Sequence, residues 1–154
     1  MIAVYLEDAI EAVLCAMVTA VESAKTTDTE LAKCSKTVRG DRIRPVPNLP
    51  VVWIVSEPAT VDGTSPGLAE RWTMPVRVAG LVANADVEAG SKQAVKIACG
   101  ARRAILANRR LSLAYVADVV SAGFDMAARH GLVQNRATHW VDVTLTVHFT
   151  VRES

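Results

Sequence analysis

The chain has 154 residues, 51% of them hydrophobic and 21% charged, which is long enough for one domain of the commonest size and apolar enough to bury a core. Seventeen basic and sixteen acidic residues leave a net charge of +1, without the strong positive field of a dedicated nucleic-acid binder. The same mixture excludes an intrinsically disordered, collagenous or coiled-coil chain.

The N-terminal stretch MIAVYLEDAIEAVLCAMVTAV is apolar, but Glu7, Asp8 and Glu11 interrupt it and no basic lead precedes it. This argues against a signal peptide and against a membrane span, and leaves a soluble protein made in a cytosol as the expectation. Ile2, Leu6, Ala9, Ile10, Val13, Leu14, Met17 and Val21 recur at steps of three and four and predict an amphipathic helix over residues 2–21. Its acids lie in the first turns, where the positive end of the helix dipole favours them. Thr27 and Glu30 have capping-box spacing for a short second helical turn. From Arg39 to Pro50 the chain reads RGDRIRPVPNLP, and three prolines within six residues forbid a helix and favour extended backbone. Residues 36–50 are therefore expected to form a Pro/Arg-rich arm or loop on a single domain spanning 1–154.

Val51 to Val55 (VVWIV) is a continuous β-branched and aromatic run that predicts a covered strand, followed by the turn-rich TVDGTSPG. Trp72, Met74, Val76 and Val78 alternate with Arg71, Thr73, Pro75 and Arg77, which predicts a half-buried strand to about Asn84 with Pro75 at an edge or bulge. Asn84-Ala85-Asp86 offers an N-cap to a second long helix, in which Val87, Ala94, Val95, Ala98, Ala101, Ile105 and Leu106 recur to about Asn108. Gly90 and Gly100 would each cost about 1 kcal/mol relative to Ala there, and close packing on a sheet is a reason for at least one. Val116 to Phe124 reads as a strand interrupted by Gly123. Last, Val141, Val143, Leu145, Val147, Phe149 and Val151 alternate with Asp142, Thr144, Thr146, His148 and Thr150, a strand with one wet face. The fold class that follows is α+β: a mainly antiparallel sheet of about four strands in the order α-β-β-α-β-β, with two long helices packed on one face. The Thr-rich face is left to water or to another subunit.

Chemistry is harder to find. Cys15, Cys34 and Cys99 form no CxxC pair and read as small buried hydrophobes. His130, His139 and His148 stand nine residues apart, so His139 and His148 project from opposite faces of an extended last strand; exposed or cross-strand-paired histidines fit better than a metal site. Asp62 to Gly67 lacks the lysine of a phosphate loop, no serine or cysteine sits in a nucleophile motif, and Asp118 with Asp125 is no more than two acids flanking a strand. No catalytic, cofactor-binding or metal-binding residue is expected, and the chain does not read as an enzyme. Arg39, Arg42 and Arg44 in the arm form a basic cluster for a partner or for phosphate, without the stacking platforms of a single-strand binder. Trp140 sits on the otherwise polar face of the last strand, as an interface aromatic does. Arg39, Arg42, Arg44 and Trp140 are thus the candidate oligomer or partner interface.

The order of elements resembles the tail terminator proteins of long-tailed, lambda-like bacteriophages over most of the chain. The resemblance rests on the N-terminal helix, the Pro-bounded strand Leu49-Pro50-Val51-Val52-Trp53-Ile54-Val55, the alternating strand opening with Arg71-Trp72, and the helix from about Asp86. Val120-Ser121-Ala122-Gly123-Phe124-Asp125 and the Thr/Val strand at the end complete it. What it implies is a virion subunit without a cofactor that assembles as a ring, commonly a hexamer. Such a ring caps the tail tube, ends its polymerisation and offers a surface to the head-completion or connector protein, with DNA passing through it. The polar insert at residues 26–48, with its basic arm, departs from the family and keeps a neighbouring head-to-tail joining protein, or a small nucleic-acid-binding module, as the alternatives.

Overall fold

The computed structural model describes residues 4–40, 48–64, 69–124, 128–133 and 136–153. Helix α1 (Leu6–Ala24) buries Ala9, Val13, Leu14, Met17 and Val21, the stripe its spacing predicts. No side chain of its own caps it; instead Glu153 Oε1 accepts from Leu6 N at 3.0 Å, and Val4 bridges Arg152 beside it. The carboxylate thus sits where unpaired N–H groups and the helix dipole both favour an anion.

The short helix α2 (Thr29–Ala32) is present, but its cap is Asp28 and not Thr27. Asp28 Oδ1 accepts from Glu30 N at 3.0 Å and from Leu31 N at 3.1 Å, while the Thr27 hydroxyl turns back to Ala24 O. The carboxylate is placed to accept two bonds, and Thr27 finishes α1. Helix α3 (Val87–Leu106) starts as its sequence predicts, with Asp86 Oδ1 accepting from Glu88 N and Ala89 N.

The sheet is mixed and has seven strands among the described residues, against the expected four in an antiparallel arrangement. They are β1 (Thr37–Arg39), β2 (Val51–Ser56), β3 (Thr60–Thr64), β4 (Glu70–Ala83), β5 (Val116–Phe124), β6 (Arg129–Val133) and β7 (Arg136–Val151). The order across the sheet is β1-β2-β4-β7-β5, with β3 also on β4 and β6 also on β7. Among the described residues only β1 and β2 pair in parallel, and the order of elements is α-α-β-β-β-β-α-β-β-β. Of the expected arm at residues 36–50, Thr37 to Arg39 belong to the sheet, and residues 41–47 lie outside the described residues.

Pro75 lies where β2 gives way to β3 along one side of β4: Ser56 pairs Val76 and Thr60 pairs Thr73. Its carbonyl accepts from Glu57 N at 2.8 Å on that side. Its missing N–H thus falls at the irregularity between two strands and removes no ladder bond, as its position required.

The helices cover one face, α1 over β1 and β2 and α3 over β4 and β7. Val141, Val143, Leu145, Val147, Phe149 and Val151 all point into this core and are buried. The two α3 glycines serve different neighbours. A Cβ at Gly90 would lie 2.2 Å from the His139 ring of β7, whereas one at Gly100 would lie 2.6 Å from Asp28 beside α2, not against the sheet.

Candidate functional site

The opposite face of the sheet carries no helix among the described residues, and its two ends differ in chemistry. Strand register sets Val51, Leu81, Trp140 and Arg129 in one row and Trp53, Ala79 and Asp142 in the next, followed by Val55, Arg77 and Thr144. Val51, Ala79 and Leu81 are buried under Leu49, Trp53 and Trp140, which are themselves half-buried. This small second cluster forms a groove of about 310 Å³ lined by both tryptophans with Val55, Leu81, Arg77, Arg129 and Asp142. Trp53 Nε1 within it is buried and has no hydrogen-bond partner, and the indole occupies the space a side chain at residue 40 would need, 1.8 Å from a Cβ built on Gly40. Arg77 Nε lies 3.0 Å from Glu57 Oε1, an ion pair outside hydrogen-bond geometry, and Arg129 Nη1 lies 3.9 Å from Asp142. Toward its other end the face is polar, with Thr146, Thr73, His148, Arg71 and Thr150.

Of the sequence-predicted interface residues, Trp140 lies in this groove. Arg39 does not. It points from β1 to the helix side of the sheet, is 8% exposed at its side chain, and pairs Glu11 Oε1 of α1 at 2.7 Å. Its guanidinium is held against α1 and is not part of a projecting basic cluster, because its position in β1, opposite Ile54, aims it at that helix. Arg42 and Arg44 lie outside the described residues. Trp53 was not singled out for this surface: in VVWIV every residue looks equally covered, and only the register reveals that Val51, Trp53 and Val55 face away from the helices.

The cysteines divide as well. Cys34 is buried, and that burial pushes its thiol up to about 11. Cys15 is exposed and Cys99 half-exposed, contrary to the expectation of buried hydrophobes, because both sit at the margin of their helix's apolar stripe.

Two histidine arrangements carry polar geometry. On the open face Thr73 Oγ1 donates to the Asp62 carboxylate and lies 3.1 Å from His148 Nδ1. A hydroxyl that donates to the acid accepts from the imidazole, so His148 does not take the proton of Thr73 and the trio lacks the order of a nucleophile, base and orienting acid. On the helix side His130 and His139 stand opposite each other in β6 and β7, with their Nδ1 atoms 2.6 Å apart. They are cross-strand partners, and His139 and His148 lie on opposite faces as their spacing requires. Among the described residues no group of three or more His, Cys, Asp or Glu is placed to hold a metal ion, and no helix is long and apolar enough to cross a membrane. Compared with known proteins, the chain matches no family model and no curated protein.

Proposed function

We propose that this protein is a structural, ring-forming subunit of a bacteriophage virion. It caps the tail tube, ends tail polymerisation and presents the head-attachment surface. The observation that carries the reading is the apolar end of the open sheet face, where Trp53 and Trp140 flank Leu81 beside arginines of partial exposure. Half-buried aromatics with neighbouring arginines are the residue types that dominate protein interfaces. The occupant is a neighbouring copy, through α1. That helix carries Glu7, Asp8, Glu11 and Glu22 and no basic residue, and Glu7 and Asp8 are exposed. Acidic helix and Trp/Arg groove lie on opposite sides of the sheet, so a contact joining them is heterologous, the kind that generates a closed ring when its rotation closes. The charges orient this contact more than they tighten it, since exposed pairs are worth at most about 1 kcal/mol.

The test is the mass in solution by sedimentation and native mass spectrometry, which is expected to be a multiple of the 16.5 kDa chain. Glu7→Arg with Asp8→Arg is expected to weaken the assembly, Arg129→Glu likewise, and their combination to restore it. A monomer at all concentrations, unable to bind purified tail tubes, overturns the reading. A neck protein makes a ring too and is distinguished by holding the head connector in the absence of tubes. The nucleic-acid alternative is weakened by the engagement of Arg39 with Glu11, and a binding constant that falls steeply with salt would revive it.

A further inference from the structure

His139 is 2% exposed beneath the first turns of α3. Its Nε2 lies 2.8 Å from the backbone oxygen of Asn84, a group that can only accept, so Nε2 carries a proton whenever this bond is made. Its Nδ1 faces Nδ1 of His130 at 2.6 Å. Two ring nitrogens in contact hold one proton between them, one donating and the other accepting. In the neutral pair that proton is assigned to His130 Nδ1, because His139 has already spent its own on Asn84.

We propose that this pair is a proton-counting latch on the β6–β7 hairpin. A proton added at Nε2 of His130, a residue exposed at the strand edge, leaves both hydrogen bonds in place. A second would place an N–H on each Nδ1, donor against donor, and the two strands must part for His139 to accept it. The charged groups on the packed elements are otherwise engaged. Asp86 bonds the backbone of Glu88 and Ala89, Glu88 pairs Lys92 at 3.0 Å in solvent, and Arg129 lies 3.9 Å from Asp142 on the other face. Arg136 is exposed at the start of β7, and β4 sets Val82 and no titratable group opposite His139. The hairpin also carries Arg129 and Trp140, so opening it loosens one wall of the apolar groove while the β4–β7 core stays paired.

Nitrogen-15 NMR of the histidine rings, with hydrogen exchange of the β6 amides, tests this on the intact chain. At alkaline pH His130 is expected as the Nδ1–H tautomer and His139 as Nε2–H. On acidification the protection of β6, corrected for intrinsic exchange, is expected to fall roughly tenfold, about 1.4 kcal/mol, once each Nδ1 carries a proton. In His130→Ala, which changes an exposed side chain, that acid-dependent fall is expected to vanish while the melt stays cooperative. His148→Ala, on the other face, is expected to leave the pH profile of β6 protection unchanged and serves as the control. An Nε2–H tautomer on neutral His130, or the same pH profile of protection in His130→Ala, overturns the latch.

Discussion

Arg39 is 9% exposed although it stands in a stretch dominated by cations and prolines, because three residues of β1 turn its side chain toward α1 and Glu11. The joint between α1 and β1 has a second member: Glu22 Oε1 accepts from Thr37 N at 2.6 Å and its other oxygen pairs Lys25 Nζ at 2.8 Å. Burial works to raise Glu22, but the bonds from Lys25 and Thr37 outweigh it and hold the carboxyl below its ordinary value. A lowered folded value means that the stabilisation is present above the ordinary glutamate value of about 4.3 and is lost as pH falls through the folded value. Glu22→Gln is therefore expected to be less stable than the parent at pH 7, by under about 1 kcal/mol given the exposure of the pair, with the gap in urea melts closing as pH falls below the ordinary carboxylate range. The thiols make a simpler prediction. A thiol reagent is expected to label exposed Cys15 on the native chain and to spare Cys34 until the chain unfolds, since a thiol held at about 11 is almost wholly protonated at neutral pH. Mass spectrometry of the labelled peptides checks both rates.

At the scale of elements, β7 has the sharpest division of labour. Leu145→Ala is expected to cost about 2–4 kcal/mol and Thr144→Ala well under 1 kcal/mol, read from denaturant melts, because Leu145 is fully buried among helix-side neighbours and Thr144 faces the open side. Gly90→Ala is expected to destabilise by roughly 1–3 kcal/mol although Ala is the better helix former. The added methyl meets an imidazole held at both nitrogens, which cannot swing away. The alternation of β7 and the Asp86 cap made these two elements legible from sequence, since both are local patterns repeated or marked without interruption. β1, β3 and β6 were not, for local reasons. β1 has three residues, β3 shifts register between Val61 and Gly63, and β6 contains Gly131, over which the Trp140 ring lies, so none offers a run of alternation long enough to see. In the groove, Trp140 was legible as a misfit on a polar face. Nothing in the sequence places Glu11 opposite Arg39.

For the molecule as a whole, the stretch once expected to be an external arm is partly structural. Removing residues 36–48 deletes β1, the Thr37–Glu22 bond and the Arg39–Glu11 pair, and is expected to lower the melting temperature by roughly 2–4 °C for each kcal/mol lost. Loss of assembly in such a deletion does not identify an interface; single charge reversals such as Arg129→Glu do. The sheet edges also limit how copies meet. β5 shifts register twice, β1 has only three residues, and β3 and β6, each with one partner strand among the described residues, have five, so none offers a long flat ladder for another strand. β4, β5 and β6 all pair with β7, Val4 bridges Arg152, and the start of α1 is capped by Glu153. Until β7 is in place these strands have no common neighbour, and the faces they turn to it stay uncovered. A chain that stops before residue 138 leaves β4, the longest of the earlier strands, without its β7 neighbour.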